Sequence, residues 1–592
     1  MHYVFPWEKS SADYQKEYAR INGTGALSTP EAVRIAVLGS STLNFFSQVL
    51  AVRLFESGVA AAVWTAPYGQ VQRQTTDPAA ELAGFKPHFT LVVQEVSDAL
   101  GAGYEKELQR PENHGELKRK AIDYCKALAE NLSRNCPRVL ISNFTTPATT
   151  PFGTAEGRRK GERRFVQELN HALADEFASN PAVVVVDLDC ACANAGKIDA
   201  ASEKYRFLGD FRLSHKQGVM LADEVAGVVA ALLGRARKCI VLDLDNTLWG
   251  GVIGEDGLGG IKLGQGDPVG KAFHEFQKEL LKLHKRGVIL AVNSRNNLED
   301  ALEAIRNHPE MVLREDHFAA VRANWLDKAT NLEALAKEIN ISLDSMVFID
   351  DDAFNVALVR ERLPQVASIL LPKDASAYPL LLKTLRLFDT TNVTEEDLHR
   401  GGMYAEDRKR RESEGSFASC EDFLASLELE MTVGTADSFT IPRISQLTMR
   451  TNQFNMTTKR YGEDDVARMA SSAEWRAYWM SVKDRFGDYG IVGACITRIE
   501  GTTAVVDSFL MSCRVLGKGI ENSFLWKVLE LEKARGAKRV RAQALPTQKN
   551  SAFLDFYAKA GLRNENENGY AMDLAGAQLN FPKHITWGEK SL

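Results

Sequence analysis

Cysteine is scarce: there are eight among 592 residues, at 125, 136, 190, 192, 239, 420, 495 and 513, with no Cys-x-x-Cys pair. Such thin spacing excludes a disulfide framework and a cysteine-based zinc site, and predicts reduced thiols. No apolar run approaches the roughly 20 residues needed to span a bilayer. The longest, 183–186 and 225–233, are short and flanked by Asp or Gly, so no membrane partner is expected. An excess of positive charge is missing too: 72 Lys and Arg face 78 Asp and Glu, a net charge of −6. A mixed, slightly acidic surface cannot supply the one-signed field that dominates nucleic-acid affinity, which excludes nucleic acid as the expected partner. Residues 1–8 lack the basic and apolar regions of a secretion signal, which predicts a soluble, cytoplasmic protein.

What is present is an ordinary globular composition, 25% charged and 45% hydrophobic, on a chain long enough for three or four domains of roughly 100 to 200 residues. Short apolar runs at 33–38, 59–64, 89–93, 139–141 and 183–188 alternate with helix-like segments. A second series at 240–242, 288–292 and 346–349 is separated by helical stretches such as 272–285 and 328–339. This alternation predicts parallel sheets covered by helices on both faces. The charge-dense stretch 394–414 carries mixed charges at helical spacing and reads as a solvated connecting helix. The expected organisation is a multidomain α/β protein: a parallel-sheet domain over 1–235, a Rossmann-like domain over 236–392, a helical linker over 393–430 and an α+β domain over 431–592.

The second series carries the chemistry. Its first run leads into Asp243-Leu244-Asp245-Asn246-Thr247, its second ends in Asn293-Ser294-Arg295, its third ends in Asp350-Asp351-Asp352, and Lys328 opens a helix. Ligand chemistry in open α/β sheets gathers at strand carboxyl ends, so these groups are expected to converge. They suit phosphoryl transfer to a carboxylate. One Asp attacks phosphorus, a second two residues on handles the leaving group's proton, a hydroxyl and an ammonium hold phosphate oxygens, and the distant pair helps bind Mg²⁺. Five converging carboxylates would repel one another without a hard, oxygen-seeking cation.

These motifs, in this order, resemble those of the haloacid dehalogenase superfamily. The resemblance implies Asp243 as nucleophile, Asp245 as general acid and base, and Thr247, Ser294 and Lys328 as phosphate ligands. It implies Asp243, Asp245, Asp350 and Asp351 as the Mg²⁺ site. The longer strings Asp243-Leu244-Asp245-Asn246-Thr247-Leu248-Trp249-Gly250-Gly251, Asn324-Trp325-Leu326-Asp327-Lys328 and Arg450-Thr451-Asn452-Gln453-Phe454-Asn455 are similar to the FkbH-like branch, subfamily IIIC, along essentially the whole chain. Family members with known roles convert 1,3-bisphosphoglycerate to a glyceryl thioester on an acyl carrier protein, passing the acyl group through a cysteine. The implied function is that of a Mg²⁺-dependent phosphatase and acyltransferase in polyketide-like or polysaccharide biosynthesis, with a small phosphorylated acyl donor and an acyl carrier protein as partners. Relatives commonly carry Cys-Ser-Lys-Asn where this chain has Asn293-Ser294-Arg295-Asn296, and an amide is not a thiol nucleophile. A phosphatase alone and a non-catalytic carrier-docking protein are the alternatives.

Near the C-terminus a strand-like run at 504–511 leads into Ser512-Cys513-Arg514-Val515-Leu516-Gly517-Lys518-Gly519 and then a helix. An Arg-x-x-Gly-x-Gly turn there places backbone N–H groups and a helix N-terminus where a pantetheine phosphate can sit. With Asn550, Phe556-Tyr557 and Gly561-Leu562 downstream, it resembles GNAT acetyltransferases. That resemblance implies Arg514, Gly517 and Gly519 as ligands of the carrier's phosphopantetheine arm; N-acylation of an amine is the other use of such a fold. Cys513, beside Arg514 and a helix N-terminus, is the candidate thiol for an acyl relay. Direct attack by the carrier's own thiol is the other route. Toward the N-terminus, Leu38-Gly39-Ser40-Ser41-Thr42 resembles the start of SGNH hydrolases, with Asn143 and His215 as conceivable partners. Asp210 and His215 stand five apart, not the three of Asp-x-x-His, so docking or substrate shaping is expected of this domain. Cys190 and Cys192 read as packing residues.

Overall fold

The computed structural model describes residues 5–588 apart from 160, 199, 392, 394–397, 399–401, 405, 407, 409, 411–419, 452, 513–514, 548–549 and 578. The chain divides into two compact units, Val4–Leu233 and a second built mainly from Gly234–Leu592. Among the described residues no helix is long and apolar enough to cross a membrane.

In the first unit, β1 (Val33–Gly39), β2 (Ala61–Thr65), β3 (Phe89–Val93), β4 (Val139–Ser142) and β5 (Val183–Val186) form one parallel sheet in the order β2-β1-β3-β4-β5. Alternate residues of β1 feed two cores. Ile35 and Val37 pack with Leu50 and Val225 of the helices Asn44–Glu56 and His215–Leu232. Ala36 and Leu38 pack with Cys125 and Leu169 of the helices His114–Ser133 and Glu162–Phe177. Burial on both faces is why these strands read as unbroken apolar runs rather than alternating ones. The chain leaves β1 toward β2 and returns to β3 on β1's other side, so the sheet's switch point lies between β1 and β3. Cys190 and Cys192 sit on the helix Leu188–Ala195, not in the strand; Cys192 is buried, which pushes its thiol up to about 12.

The second unit holds another parallel sheet, in the order β10-β9-β6-β7-β8, from β6 (Cys239–Leu242), β7 (Ile289–Ser294), β8 (Phe318–Ala323), β9 (Met346–Asp350) and β10 (Ala367–Leu370). Strand β6 is central and fully buried, with Leu242 in register with Val292 on one side and Ile349 on the other. The same unit contains an eight-stranded mixed sheet in the order β16-β17-β15-β14-β13-β12-β11-β18. Its strands are β11 (Leu429–Thr435), β12 (Trp475–Asp484), β13 (Gly487–Glu500), β14 (Thr503–Met511), β15 (Arg539–Gln543), β16 (Arg563–Asn566), β17 (Gly569–Asp573) and β18 (Ile585–Trp587). Here β14 pairs with β15 in parallel and β12, β13 and β14 pair antiparallel. Two parallel sheets and one mixed sheet make this the multidomain α/β protein its patterning predicts.

The stretch at 394–414 departs from expectation. Its described residues 398, 402–404, 406, 408 and 410 are helical, yet Arg410 is buried and donates to Asp484 at 2.7 and 2.8 Å. The same guanidinium lies 4.4 Å from the centroid of the Tyr489 ring, while Arg408 donates to the Glu315 carbonyl at 3.0 Å. Charge spacing along a helix says which residues share a face; it does not say whether that face meets water or a carboxylate distant in sequence.

Candidate active site

In the β6 sheet the chain runs from β6 to β7 and β8 on one side, then returns to β9 and β10 on the other. The carboxyl end of β6 is thus a topological switch point, where diverging connections leave a crevice. Asp243 follows β6 at that point, its N–H donating to the Ile349 carbonyl of β9 at 3.1 Å. Ser294 ends β7 and Asp350 ends β9, so the three strand ends flank one crevice. Lys328 enters from the first turn of the helix Lys328–Ile339, whose N-cap Asp327 accepts from Thr330 N.

The Lys328 side chain is 1% exposed, with Nζ 2.8 Å from Asp243 Oδ1 and 3.2 Å from Asp350 Oδ2. The contact with Asp243 is an ion pair rather than an aligned hydrogen bond. Asp243, Asp350 and Asp351 bring one carboxylate oxygen each within 4.8 Å of one another. Three carboxylates this close repel one another, and the ammonium pairs with Asp243 and Asp350. Burial and then Asp243 raise the Asp350 carboxyl; burial, then Asp350 and Asp243, push Asp351 up to about 7.

Asp245 is not in that group. Its Oδ1 accepts from Trp249 Nε1 at 2.9 Å and Ile253 N at 3.0 Å, and its Oδ2 accepts from Asn296 Nδ2 at 2.8 Å. Asn296 also donates to Ser294 Oγ at 3.2 Å, linking two of the expected site residues through one that the motif reading did not single out. Thr247 is buried with no hydrogen-bond partner for its hydroxyl among the described residues. The left-handed turn needed to bring this loop back is taken by Asn246, at φ +51°; Asn tolerates that region because its side chain bonds locally, here accepting from Gly251 N at 3.0 Å.

Asn293, conspicuous in the sequence as the place of a missing thiol, is fully buried. Its backbone carbonyl accepts from Lys328 Nζ at 2.7 Å and its Nδ2 donates to the Lys328 carbonyl at 2.9 Å. It therefore grips both ends of the lysine that pairs with Asp243.

Cys513 and Arg514 fall outside the described residues. Gly517 and Gly519 take φ of +83° and +76°, and Gly519 precedes the helix Ile520–Ala534, so the turn has the backbone its glycines foretell. The Gly517 N–H, however, already donates to the carboxylate of Glu521. In the first unit Ser40 donates to Asp98 at 2.8 Å, Asn143 donates to Asp187 at 2.8 Å, and His215 Nε2 lies 2.8 Å from the Lys9 carbonyl, its ring beside those of Tyr14 and Phe45. These three form no nucleophile–base pair.

Residues 34–229 match the family model described as the N-terminal domain of FkbH, and residues 238–392 match that of the NLI interacting factor-like phosphatases. Among solved structures, the N-terminal part of the protein BF1531 from Bacteroides fragilis, containing a phosphatase domain complexed with Mg, is 31% identical over 64% of this chain and 99% of its own, with a TM-score of 0.57. The ribosomal-protein-S18-alanine N-acetyltransferase of Escherichia coli is 13% identical over 25% of this chain and 97% of its own, with a TM-score of 0.21. An IAA acetyltransferase from Bacillus cereus is 16% identical over 24% of this chain and 99% of its own, with a TM-score of 0.18. The curated proteins gave no match.

Proposed function

As the chain belongs to the family of Bacteroides fragilis BF1531, we propose that it is a Mg²⁺-dependent phosphatase and acyltransferase, which releases phosphate from a small acyl phosphate of the 1,3-bisphosphoglycerate kind and loads the acyl group on an acyl carrier protein. The observation that carries this reading is the set Asp243, Lys328, Asp350 and Asp351 gathered at a sheet's switch point. The donor set fits the ion: three hard carboxylate ligands cluster with a single ammonium, which pairs with Asp243 and Asp350, leaving net negative charge for a divalent cation to offset. Asp243, Asp350 and Asp351 would hold it; the Asp245 carboxylate, engaged by three other donors, is left to proton transfer. When bound, Mg²⁺ supplies positive charge beside the phosphoryl oxygens.

In this scheme a carboxylate oxygen of Asp243 attacks the phosphorus of the donor's ester phosphate, leaving the acyl phosphate intact for the thiol, while the Ser294 hydroxyl and Lys328 ammonium hold phosphoryl oxygens. Asp245 gives the leaving oxygen its proton and later takes one from the water that hydrolyses the aspartyl phosphate. The Asn293 backbone carbonyl holds the ammonium, and its side-chain amide holds the backbone from which that lysine springs. Asn293→Ala keeps the carbonyl and removes the amide's bond, and is expected to slow phosphate release by roughly threefold to tenfold, the worth of about one neutral hydrogen bond; unaltered turnover in a phosphate-release assay would free Lys328 of that dependence.

Carrier loading needs a thiol to attack the acyl carbon with phosphate leaving. Direct attack by the carrier's own thiol and relay through Cys513, which lies outside the described residues, are the two routes. A carrier arm can reach the carboxyl edge from outside, where Trp325 and Phe354 expose 72% and 64% of their surface after β8 and β9. C-terminal GNAT-like binding of the arm at Gly517 and Gly519 requires Glu521 to leave the turn. The test is intact-protein mass spectrometry of phosphopantetheinylated carrier with 1,3-bisphosphoglycerate. Expected is a glyceryl adduct on the carrier that chelation by EDTA abolishes and Mg²⁺ restores. Phosphate release with an unmodified carrier would leave a phosphatase alone, the reading that Asn293 favours; absence of both would leave a docking protein.

A further inference from the structure

The first unit has a cavity of its own, about 220 Å³, at the carboxyl ends of its parallel strands. Ser40 and Ser41 follow β1, Glu95 follows β3 and Thr145 follows β4, so it opens at the switch point between β1 and β3. This is where open α/β sheets receive ligands, for the reason that placed Asp243 in the other sheet. We infer that this cavity is a binding site for a neutral, polyhydroxylated small molecule, a polyol or sugar.

The charged side chains of the walls have partners in the protein, several of them outside the walls; Glu203 stands 3.8 Å from Arg206. Arg212 divides its guanidinium between Asp210, at 2.9 Å, and Glu95. Lys197 Nζ sits 2.6 Å from Asp189 Oδ1 and also donates to Thr146. An anion or cation entering would compete with partners these groups already have, and would meet the opposite member of each pair beside it. Two hydroxyls remain: those of Ser41 and Thr145, which line the cavity and bond no described residue. Each can donate once and accept twice, the complement of a ligand hydroxyl. Leu188, Leu213 and Pro147 supply an apolar wall for the C–H face of such a molecule. The site binds without hydrolysing. Ser41 stands at the nucleophile's place after a strand, yet His215 is turned to the Lys9 carbonyl and does not line the cavity. A serine with no base to take its proton is not activated.

The test is saturation-transfer NMR and titration calorimetry on the full chain with glycerol, xylitol and glucose, against glycerate, gluconate and inorganic phosphate at matched concentrations in Asp243→Asn protein, so that turnover cannot interfere. Saturable binding of at least one neutral polyol is expected, with its acid weaker. Thr145→Val, nearly isosteric, should weaken it roughly five- to tenfold, and Ser41→Leu, which fills the cavity, should abolish it. Phosphate release in the otherwise native chain should be unchanged by either substitution. No saturable polyol binding, preference for the acids, or equal binding in both variants would overturn the inference whether or not the phosphatase reading stands.

Discussion

Asp243→Asn is expected to abolish Mg²⁺-dependent phosphate release, by on the order of a thousandfold or more, or about 4 kcal/mol of transition-state stabilisation. The amide keeps the carboxylate's shape but offers no anionic oxygen to form an aspartyl phosphate. The fold should survive, because the substitution removes one of three crowded negative charges and leaves Lys328 paired with Asp350 at 3.2 Å. Removing Asp243 also removes a charge that helps hold Asp351 near 7, so that carboxyl should titrate lower in the variant. Phosphate release against pH and carboxyl titration by NMR measure the two effects separately. Native turnover in Asp243→Asn would exclude it as nucleophile, whatever Mg²⁺ does to the rate.

Asp484→Ala should be strongly destabilising, at about 3 kcal/mol, since it takes the bidentate carboxylate from a buried guanidinium, that of Arg410, whose pairing with Glu406, at 3.5 Å, is longer. Both side chains are nearly inaccessible, 4% and 0% exposed, and the pairing is bidentate at 2.7 and 2.8 Å. Burial alone would raise the Asp484 carboxyl, yet the hydrogen bond and charge of Arg410 hold it below the usual carboxylate range. A depressed folded-state pKa contributes stability that is present above the unfolded value, about 3.9, and lost as pH falls through the folded one. Urea unfolding midpoints of the native chain should therefore fall on acidification below about pH 4, and those of Asp484→Ala should fall less. Replacing the pair together, as Arg410→Met with Asp484→Leu, should recover most of the loss; failure to do so would mean the charges hold more than each other.

Local pattern determined much of this protein. Unbroken β-branched runs announced buried parallel strands because both faces of such sheets are covered, and the helix Lys328–Ile339 could be read to its ends from its periodicity. The strand-ending motifs placed Asp243, Ser294, Asp350 and Lys328 at one edge, because a strand that runs into polar residues must end at the sheet's rim. Strands β8 and β10 escaped notice: β8 mixes alanines with Arg322, and β10 breaks its short apolar run with Ser368. Tertiary structure alone decided which neighbours answer each polar group. Asp245 turns away from the other three carboxylates toward Trp249 and Asn296; Asn293 holds a lysine 35 residues away; Arg410 finds Asp484 across 74 residues; His215 meets Lys9 rather than a serine. Spacing along the chain fixes the side of an element on which a group emerges, since backbone geometry repeats every two or 3.6 residues. Which partner it meets there depends on how separate elements pack, a relation between distant segments that no local repeat encodes.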